Sequence, residues 1–370
     1  MRICIISSFF NLDLNKDLAN GGGKHITILA KEWTKHGNEI FSVSTNVHFN
    51  AISVLKDTIR AILGGDEEYF KNCNPDKMDI ILSASPYPPD LIRAARIGRI
   101  TNKKVHAYFH HITPPLFWKP FQRGFFRTLL NRLYIIPALA FCKILDIHIF
   151  LDQPQEYELG SLTVHKDNDA IENSPLEGAE FHPVNSDSAE IKDIDIFFIG
   201  RISKNKGVIN IVKAMKILRS KGILLNAVLA GPISDFRYYS KIVRYLDKHG
   251  MSPQVLFTDK ITDEEKQTYL RRSKMFVFPS FEEGWSLSVM EAAASGIPIV
   301  AFDLEAYSYL EGNYFKSKPD YKSLAESIMK CLTENDLSEK YSRRASTLVR
   351  SYSYAEIAEE QIQIFMNELL

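Results

Sequence analysis

Two carboxylates, Glu283 and Glu291, stand with seven residues between them in a stretch that reads as strand, turn and helix. Phe276 to Pro279 is short, apolar and aromatic, the pattern of a covered parallel strand, and Leu287, Met290 and Ala294 then recur at helical spacing. The second carboxylate falls about one turn past the amides of Ser286, Leu287 and Ser288. A helix start offers free N–H groups and the positive end of the dipole, which suits a phosphate. Carboxylates placed by rigid elements accept bonds from hydroxyl groups, so the junction fits a polyhydroxylated, phosphorylated ligand better than a planar apolar one. Taken singly, Glu291 also reads as a charge partner at a helix start and Glu283 as a solvated loop acid. The whole string, with Gly284, Ser286 and Leu287 between the acids, is what marks a candidate binding site.

A second group of charges has the same setting. Gly200-Arg201-Ile202-Ser203-Lys204-Asn205-Lys206-Gly207 follows one apolar strand and precedes a helix. Arg201 offers a bidentate fork and Lys206 a point charge to the same phosphates, each aimed donor contributing about 3 kcal/mol to a developing anion. A basic loop by itself is usually only solvated, and its place after a strand end sets this one apart. His110 and His111 end the apolar run Val105 to Phe109, so one imidazole can point into a cleft, although a lone histidine is more often a structural donor. Gly21, Gly22 and Gly23 precede a helix read as starting at Lys24, where bare backbone can approach a phosphate or an acceptor; flexible turns use such triplets too. No metal-ligand set is assigned. Asp193-Ile194-Asp195 precedes a strand instead of following one and reads as a solvated strand start, and Asp167-Asn168-Asp169 reads as a surface turn.

The elements that must hold these residues follow from the rest of the chain. With 370 residues, 45% of hydrophobic type, it exceeds one core and is expected to form two domains. Basic and acidic residues balance at 45 each, which argues against a nucleic-acid partner held by bulk charge. Cys4, Cys73, Cys142 and Cys331 have no metal-ligand spacing and read as thiols of a reduced, cytoplasmic protein. The opening Met1 to Ser7 is too short an apolar run for a secretory signal and reads as a first buried strand, while Leu133 to Leu151 is too interrupted to span a bilayer.

Strand-like runs at Ile3 to Ser7, Ile40 to Thr45, Ile80 to Ala84, Val105 to Phe109 and Ile147 to Leu151 alternate with helical patterns, the sign of a doubly wound parallel sheet. Ile26, Leu29, Ala30 and Trp33 form one helical stripe that His36-Gly37 closes. A polar, proline-bearing stretch through residues 173–190 reads as a linker, after which the alternation restarts at Ile194 to Ile199, with further strands at Leu225 to Ala230 and near Val255 to Phe257. The expected class is α/β with two Rossmann-like doubly wound domains, residues 1–180 and 190–350. A final helix over 351–370 carries Ala358, Ile362, Phe365 and Leu369 as an apolar stripe. Residues 117–132 interleave aromatics and cations, which fits either an anionic membrane surface or an amphipathic helix with snorkelling arginines.

The Glu-x7-Glu string resembles the signature of the retaining glycosyltransferases of family 4, and the glycine triplet, the histidine after a first-domain strand, Gly200-Arg201 and Lys206-Gly207 appear in the family's order. Ser288 stands where the family often has proline, and Asp303-Leu304-Glu305-Ala306 replaces its usual glycine pair. The resemblance implies a GT-B fold, with two domains facing a central cleft and the last helix crossing back to the first domain. It implies transfer of a sugar from a nucleotide-diphosphate sugar, UDP-linked by preference over GDP-linked, to a glycan or lipid-linked acceptor, with no metal and no cofactor.

His110, with His111 as the fallback, matches the family's active-site histidine. Arg201 and Lys206 match its phosphate-binding cations, Glu283 the acid that holds sugar hydroxyls, and Glu291 the acid on the ribose. Gly21 and Gly22 match its first-domain glycines. Base recognition falls near Thr258 to Ile261. Retention in the family is thought to need no protein nucleophile. A place in the cytoplasm, or at the inner face of a membrane, follows. A nucleotide-sugar 2-epimerase, a phosphorylase of the same fold and a non-enzymatic nucleotide-sugar binder are the alternatives.

Overall fold

A computed structural model of the chain describes residues 1–7, 21–44, 51–63, 74–109, 138, 140–145, 147–151 and 192–369. The chain divides into two compact units, Met1–Pro175 with Ser353–Leu370, and Leu176–Tyr352.

The first unit alternates β1 (Arg2–Ser7), α1 (Gly21–Lys35), β2 (Glu39–Ser44), α2 (Ala51–Leu63), β3 (Ile80–Ser83), α3 (Pro88–Thr101), β4 (Val105–Phe109) and β5 (His148–Leu151). All five strands pair in parallel in the order β2-β1-β3-β4-β5. Parallel strands are covered on both faces, so they read as continuous apolar runs instead of alternating ones. Ile3, Cys4, Ile5 and Ile6 are accordingly all buried.

The expected stripe of α1 is present, with Ile26, Leu29, Ala30 and Trp33 all buried. Its start differs from the reading above: α1 begins at Gly21, so the glycine triplet is the helix's first turn and not a loop ahead of it. Glycine has low helix propensity, which is why the sequence pattern placed the start at Lys24; the apolar stripe that follows carries the helix back through the triplet.

The second unit restarts the pattern with β6 (Ile194–Ile199), α4 (Val208–Ser220), β7 (Ala227–Ala230), α5 (Phe236–Lys248), β8 (Val255–Thr258), α6 (Asp263–Arg272), β9 (Ser273–Phe278), α7 (Leu287–Ala294), β10 (Ile299–Phe302), β11 (Phe315–Ser317), α8 (Tyr321–Thr333) and α9 (Asn335–Arg350). Its six parallel strands lie in the order β11-β10-β9-β6-β7-β8. The winding therefore reverses between β6 and β9, and the crevice outside the carboxyl ends of strands at such a reversal is where ligands of open α/β sheets bind.

Helix α10 (Tyr354–Leu369) returns to the first unit. Its buried face is Tyr354, Ile357, Ala358, Gln361 and Phe365. Leu369, expected in the stripe, is exposed, and Ile362 lies only partly buried. Along a 3.6-residue period, position 361 lies between 358 and 365, so a polar residue takes the place the apolar pattern gave to its neighbour. Gln361 is accommodated by donating to the Tyr108 hydroxyl, His25 Nδ1 lies 3.0 Å from the Tyr354 hydroxyl, and Trp33 meets Phe365 edge-on at 5.8 Å. Among the described residues no helix is long and apolar enough to cross a membrane.

Candidate active site

The loops that leave β6 and β9 at the reversal point carry three of the charged candidates, Arg201, Lys206 and Glu283. Two glycines permit the approach. Gly207 has φ of +67°, and a Cβ there would meet the Pro279 carbonyl oxygen at 2.0 Å, so only glycine lets the basic loop lie against the end of β9. Gly231, with φ of +129°, would meet the Gly200 carbonyl oxygen at 2.2 Å and likewise keeps the loop after β7 flush with the start of the basic loop.

Hydrogen bonds then stitch the two loops together. Phe281 N–H donates to the Asn205 carbonyl at 2.9 Å, Asn205 Nδ2 donates to the Glu282 carbonyl at 3.4 Å, and the buried Ser280 hydroxyl donates to the Glu282 carbonyl at 3.1 Å. Within that frame Lys206 Nζ lies 2.5 Å from Glu283 Oε1 and 5.1 Å from the centre of the Phe278 ring. Both side chains are largely shielded from water, at 16% and 9% exposure. Arg201 is exposed and makes no ion pair among the described residues, so its fork remains available to a ligand.

Helix α7 begins at Leu287 with Ser286 as its N-cap residue in the left-handed region, φ +58° and ψ +75°. A non-glycine residue held there costs of order 1–3 kcal/mol, and such strain concentrates at ligand-binding turns. The Ser286 carbonyl accepts from Val289 N–H at 3.0 Å, but its side chain makes no cap, so its hydroxyl does not occupy the Leu287 and Ser288 N–H groups. A helix start of this kind suits an anionic ligand.

Glu291 sits one turn further on, and its surroundings are not those of a solvent-facing acid. It is buried, and its Oε1 accepts from Lys266 Nζ at 2.8 Å. Lys266, also buried, bonds Asp263 Oδ1 at 2.6 Å. It stands in a first turn closed by a capping box: Glu265 N–H donates to Thr262 Oγ1 and Thr262 N–H to Glu265 Oε2. The structure thus brings Lys206 and Glu283 together and gives Glu291 a separate lysine partner.

Aromatic residues that the sequence reading passed over surround Glu283. In place of a glycine pair, the chain after β10 forms a 3₁₀ turn over Glu305–Leu310 that buries Tyr307 and Tyr309. Trp285 tilts on Tyr309 at 4.8 Å and meets Tyr352 edge-on at 5.7 Å. Burial, and after it the Glu283 charge, holds both phenols well above the ordinary tyrosine value, so each is a hydrogen-bond donor at every physiological pH. Trp285 Nε1, the Tyr309 hydroxyl and Asn205 Oδ1 are buried with no hydrogen-bond partner among the described residues. Orphaned polar groups of this kind at a loop junction suit a hydroxyl-rich ligand. The Tyr-x-Tyr pair at 307–309, just after the segment that replaces the family's glycine pair, was the available sequence signal.

Other candidates fall elsewhere. His110, His111 and residues 117–132 lie outside the described residues, as do Asp167-Asn168-Asp169 and the linker. Gly21 and Gly22 stand in the first turn of α1. Asp193 and Asp195 do flank the start of β6, but they are not merely solvated: Asp193 forms a two-pronged pair with Arg272, and the buried Asp195 bonds Lys274 at 2.8 Å and the Asn226 N–H at 2.8 Å. The reason is that β9 runs beside β6 and delivers two cations to the same sheet end. A cavity of about 350 Å³ in this unit, lined by Lys192, Lys274, Met275 and Cys331, lies by those strand starts and not by the Lys206–Glu283 junction.

Part of the chain matches a known protein family, and the fold has solved relatives. Residues 185–347 match the family model described as Glycosyl transferases group 1. Across nearly the whole chain, the structure superposes on sucrose-phosphate synthase from Thermosynechococcus elongatus with a TM-score of 0.65 at 15% identity, covering 99% of this chain and 98% of that one. The fold is GT-B. A second GT-B structure, HepE from Anabaena in complex with UDP and glucose, superposes with a TM-score of 0.64 at 13% identity over 99% of this chain and 100% of that one. In sequence, the capsular polysaccharide biosynthesis glycosyltransferase CapM of Staphylococcus aureus is 23% identical over 212 residues, which is 54% of this chain and 51% of CapM. The chain therefore matches about half the length of that curated relative.

Proposed function

We propose that this protein is a metal-independent, retaining glycosyltransferase of family 4 that moves a sugar from a nucleotide-diphosphate sugar to a glycan or lipid-linked acceptor. The observation that carries the reading is the pairing of Lys206 with Glu283 between the loops that leave β6 and β9 at the reversal of the second sheet, with Arg201 in the first of those loops and the start of α7 at the end of the second. The family match over that unit, and a GT-B neighbour solved with UDP and glucose, support a sugar nucleotide as the ligand and UDP as its nucleotide.

The donor's diphosphate lies against the first-turn N–H groups of α7, with the Arg201 fork and Lys206 on its oxygens. An ammonium group has three donors, so Lys206 serves Glu283 and a phosphate oxygen at once. The second carboxylate oxygen of Glu283 accepts from the sugar hydroxyls, and Glu291, oriented by Lys266, accepts from the ribose. As the bond from the anomeric carbon to the phosphate oxygen breaks, the electron pair leaves with the diphosphate, whose growing charge the two cations and the helix start neutralise.

The acceptor hydroxyl bonds the same face of the anomeric carbon, and its proton passes to a phosphate oxygen. His110, or His111 beside it, steadies the positive charge on the sugar. With fixed cations supplying the neutralising charge, a metal ion has no necessary part. The aromatic and basic composition of residues 117–132 supports an acceptor presented at a membrane surface.

A thermal-shift screen against nucleoside diphosphates and their sugars tests the donor. A ligand at 100 times its dissociation constant adds about 2.7 kcal/mol of stability, an easily read rise in melting temperature. Proton NMR of the donor it selects, incubated with the protein, then reads the chemistry. Slow release of sugar with the donor's anomeric configuration supports a retaining transferase. Epimerised nucleotide sugar, or binding with no turnover, contradicts it.

A further inference from the structure

Three side chains of the first unit converge at a point that the reading above does not use. His106 on β4 and His148 on β5 are register partners, so their side chains leave neighbouring strands on one face of the sheet. Helix α10 lays Glu368 on the same face. His106 Nε2 lies 3.1 Å from Glu368 Oε2, His148 Nδ1 lies 3.7 Å from Glu368 Oε1, and one ligand atom from each residue falls within 4.8 Å of the other two.

The His106 ring is fully buried and its orientation is fixed, stacked on Phe150 at 5.6 Å and edge-on to Phe365 at 4.8 Å. Yet both its nitrogens, and Glu368 Oε2, are buried without an aligned hydrogen-bond partner among the described residues. Native interiors seldom leave a fixed imidazole in that condition, because the unmet donor and acceptor are costly.

We propose that His106, His148 and Glu368 form a binding site for a divalent transition-metal ion of the zinc type, which clips the C-terminal helix to the first unit's sheet. Two imidazoles and a carboxylate are the donor set that zinc, cobalt and nickel accept, whereas magnesium and calcium take oxygen ligands. Metal–ligand bonds of about 2.0–2.1 Å place the ligand atoms of a tetrahedral ion about 3.3 Å apart; the His106–Glu368 separation of 3.1 Å is already near that, and the 4.8 Å limit on the three ligand atoms leaves the rest to small side-chain rotations. His148 and Glu368 are about a quarter exposed, which leaves solvent a route to the fourth position.

His106 and Glu368 already face one another at 3.1 Å, as two ligands of one ion must. Lys104, exposed at the start of β4, places a positive charge near both groups and works against a cation. Its removal should tighten the site.

The test uses the full chain, stripped with a chelator and dialysed, then titrated with zinc chloride by calorimetry and followed by thermal unfolding. One equivalent should bind and raise the melting temperature. Binding should weaken by at least about tenfold in both His148→Gln and Glu368→Gln and should tighten in Lys104→Ala. Cobalt titration should give the intense visible bands of a four-coordinate ion in the parent chain and lose them in both variants. Circular dichroism of the partly exposed His148 and Glu368 variants verifies that they fold. Absence of saturable binding, or binding that survives either ligand substitution, overturns the proposal.

Discussion

Lys206 Nζ and Glu283 Oε1 lie 2.5 Å apart across 77 residues of sequence, joining the loop that leaves β6 to the loop that leaves β9. Because the two strands are neighbours at the reversal of the sheet, the pair ties together the two loops best placed to meet a ligand. Glu283 is oriented by a cation and Lys206 by an acid, and neither spends its whole bonding capacity on the other.

Arg201 should separate chemistry from stability. Its side chain is exposed and unpaired among the described residues, so Arg201→Ala should change the free energy of unfolding by no more than about 0.5 kcal/mol. Loss of a charged donor to the leaving diphosphate should lower kcat by about 10²–10³-fold. Urea unfolding and steady-state donor turnover on the same preparation check both halves, and a variant that is destabilised but fully active contradicts the assignment.

Glu291 should behave in the opposite way. Lys266 and Glu291 are both buried and paired, so Glu291→Ala leaves a shielded ammonium with only Asp263, and a loss of about 3–5 kcal/mol is expected. Lys266→Met, which keeps Glu291 in sequence but removes its orienting partner, should weaken donor binding as well. Calorimetric donor binding that is unaltered in Lys266→Met would show that this orientation is irrelevant.

Gly207→Ala sets a left-handed backbone and a 2.0 Å contact with the Pro279 carbonyl against one methyl group. Destabilisation well above 1 kcal/mol is expected, together with weaker donor binding as the basic loop withdraws from β9. A melting temperature equal to the parent's refutes the close approach.

The buried thiols give a pH prediction. Burial pushes Cys142 up to about 12 and Cys331 up to about 11. The folded chain therefore keeps both protons at pH values where the unfolded chain, with ordinary thiols near 8.5, has lost them, and stability should fall as pH rises from about 9 toward 11. Iodoacetamide at pH 8 should leave both residues unmodified in the native protein and modify them in urea, as read by peptide mass spectrometry. Labelling without denaturant contradicts their burial.

Much of this architecture was legible because parallel strands advertise themselves. Val105 to Phe109 and Ile194 to Ile199 are apolar runs broken by one polar residue each, His106 and Asp195, and their limits coincide with β4 and β6, while the stripe of Ile26, Leu29, Ala30 and Trp33 lies on the buried face of α1. Contacts between distant segments were not legible. Nothing local to Glu291 announces Lys266, nothing near Asp57 announces its buried two-pronged bond to Arg93, and the register of β4 with β5 that sets His106 beside His148 exists only in the folded sheet. Tyr307 and Tyr309 were passed over for a related reason: their value lies in burial beside Glu283, which composition does not reveal.

The grip on the diphosphate is tested most directly by isothermal titration of UDP into the parent chain and into Arg201→Ala and Glu283→Ala. The account predicts saturable, one-to-one binding to the parent, at least about tenfold weaker binding to Arg201→Ala, and UDP binding largely kept in Glu283→Ala while the extra affinity for the UDP-sugar is lost. Equal UDP affinity in the parent and Arg201→Ala would contradict it.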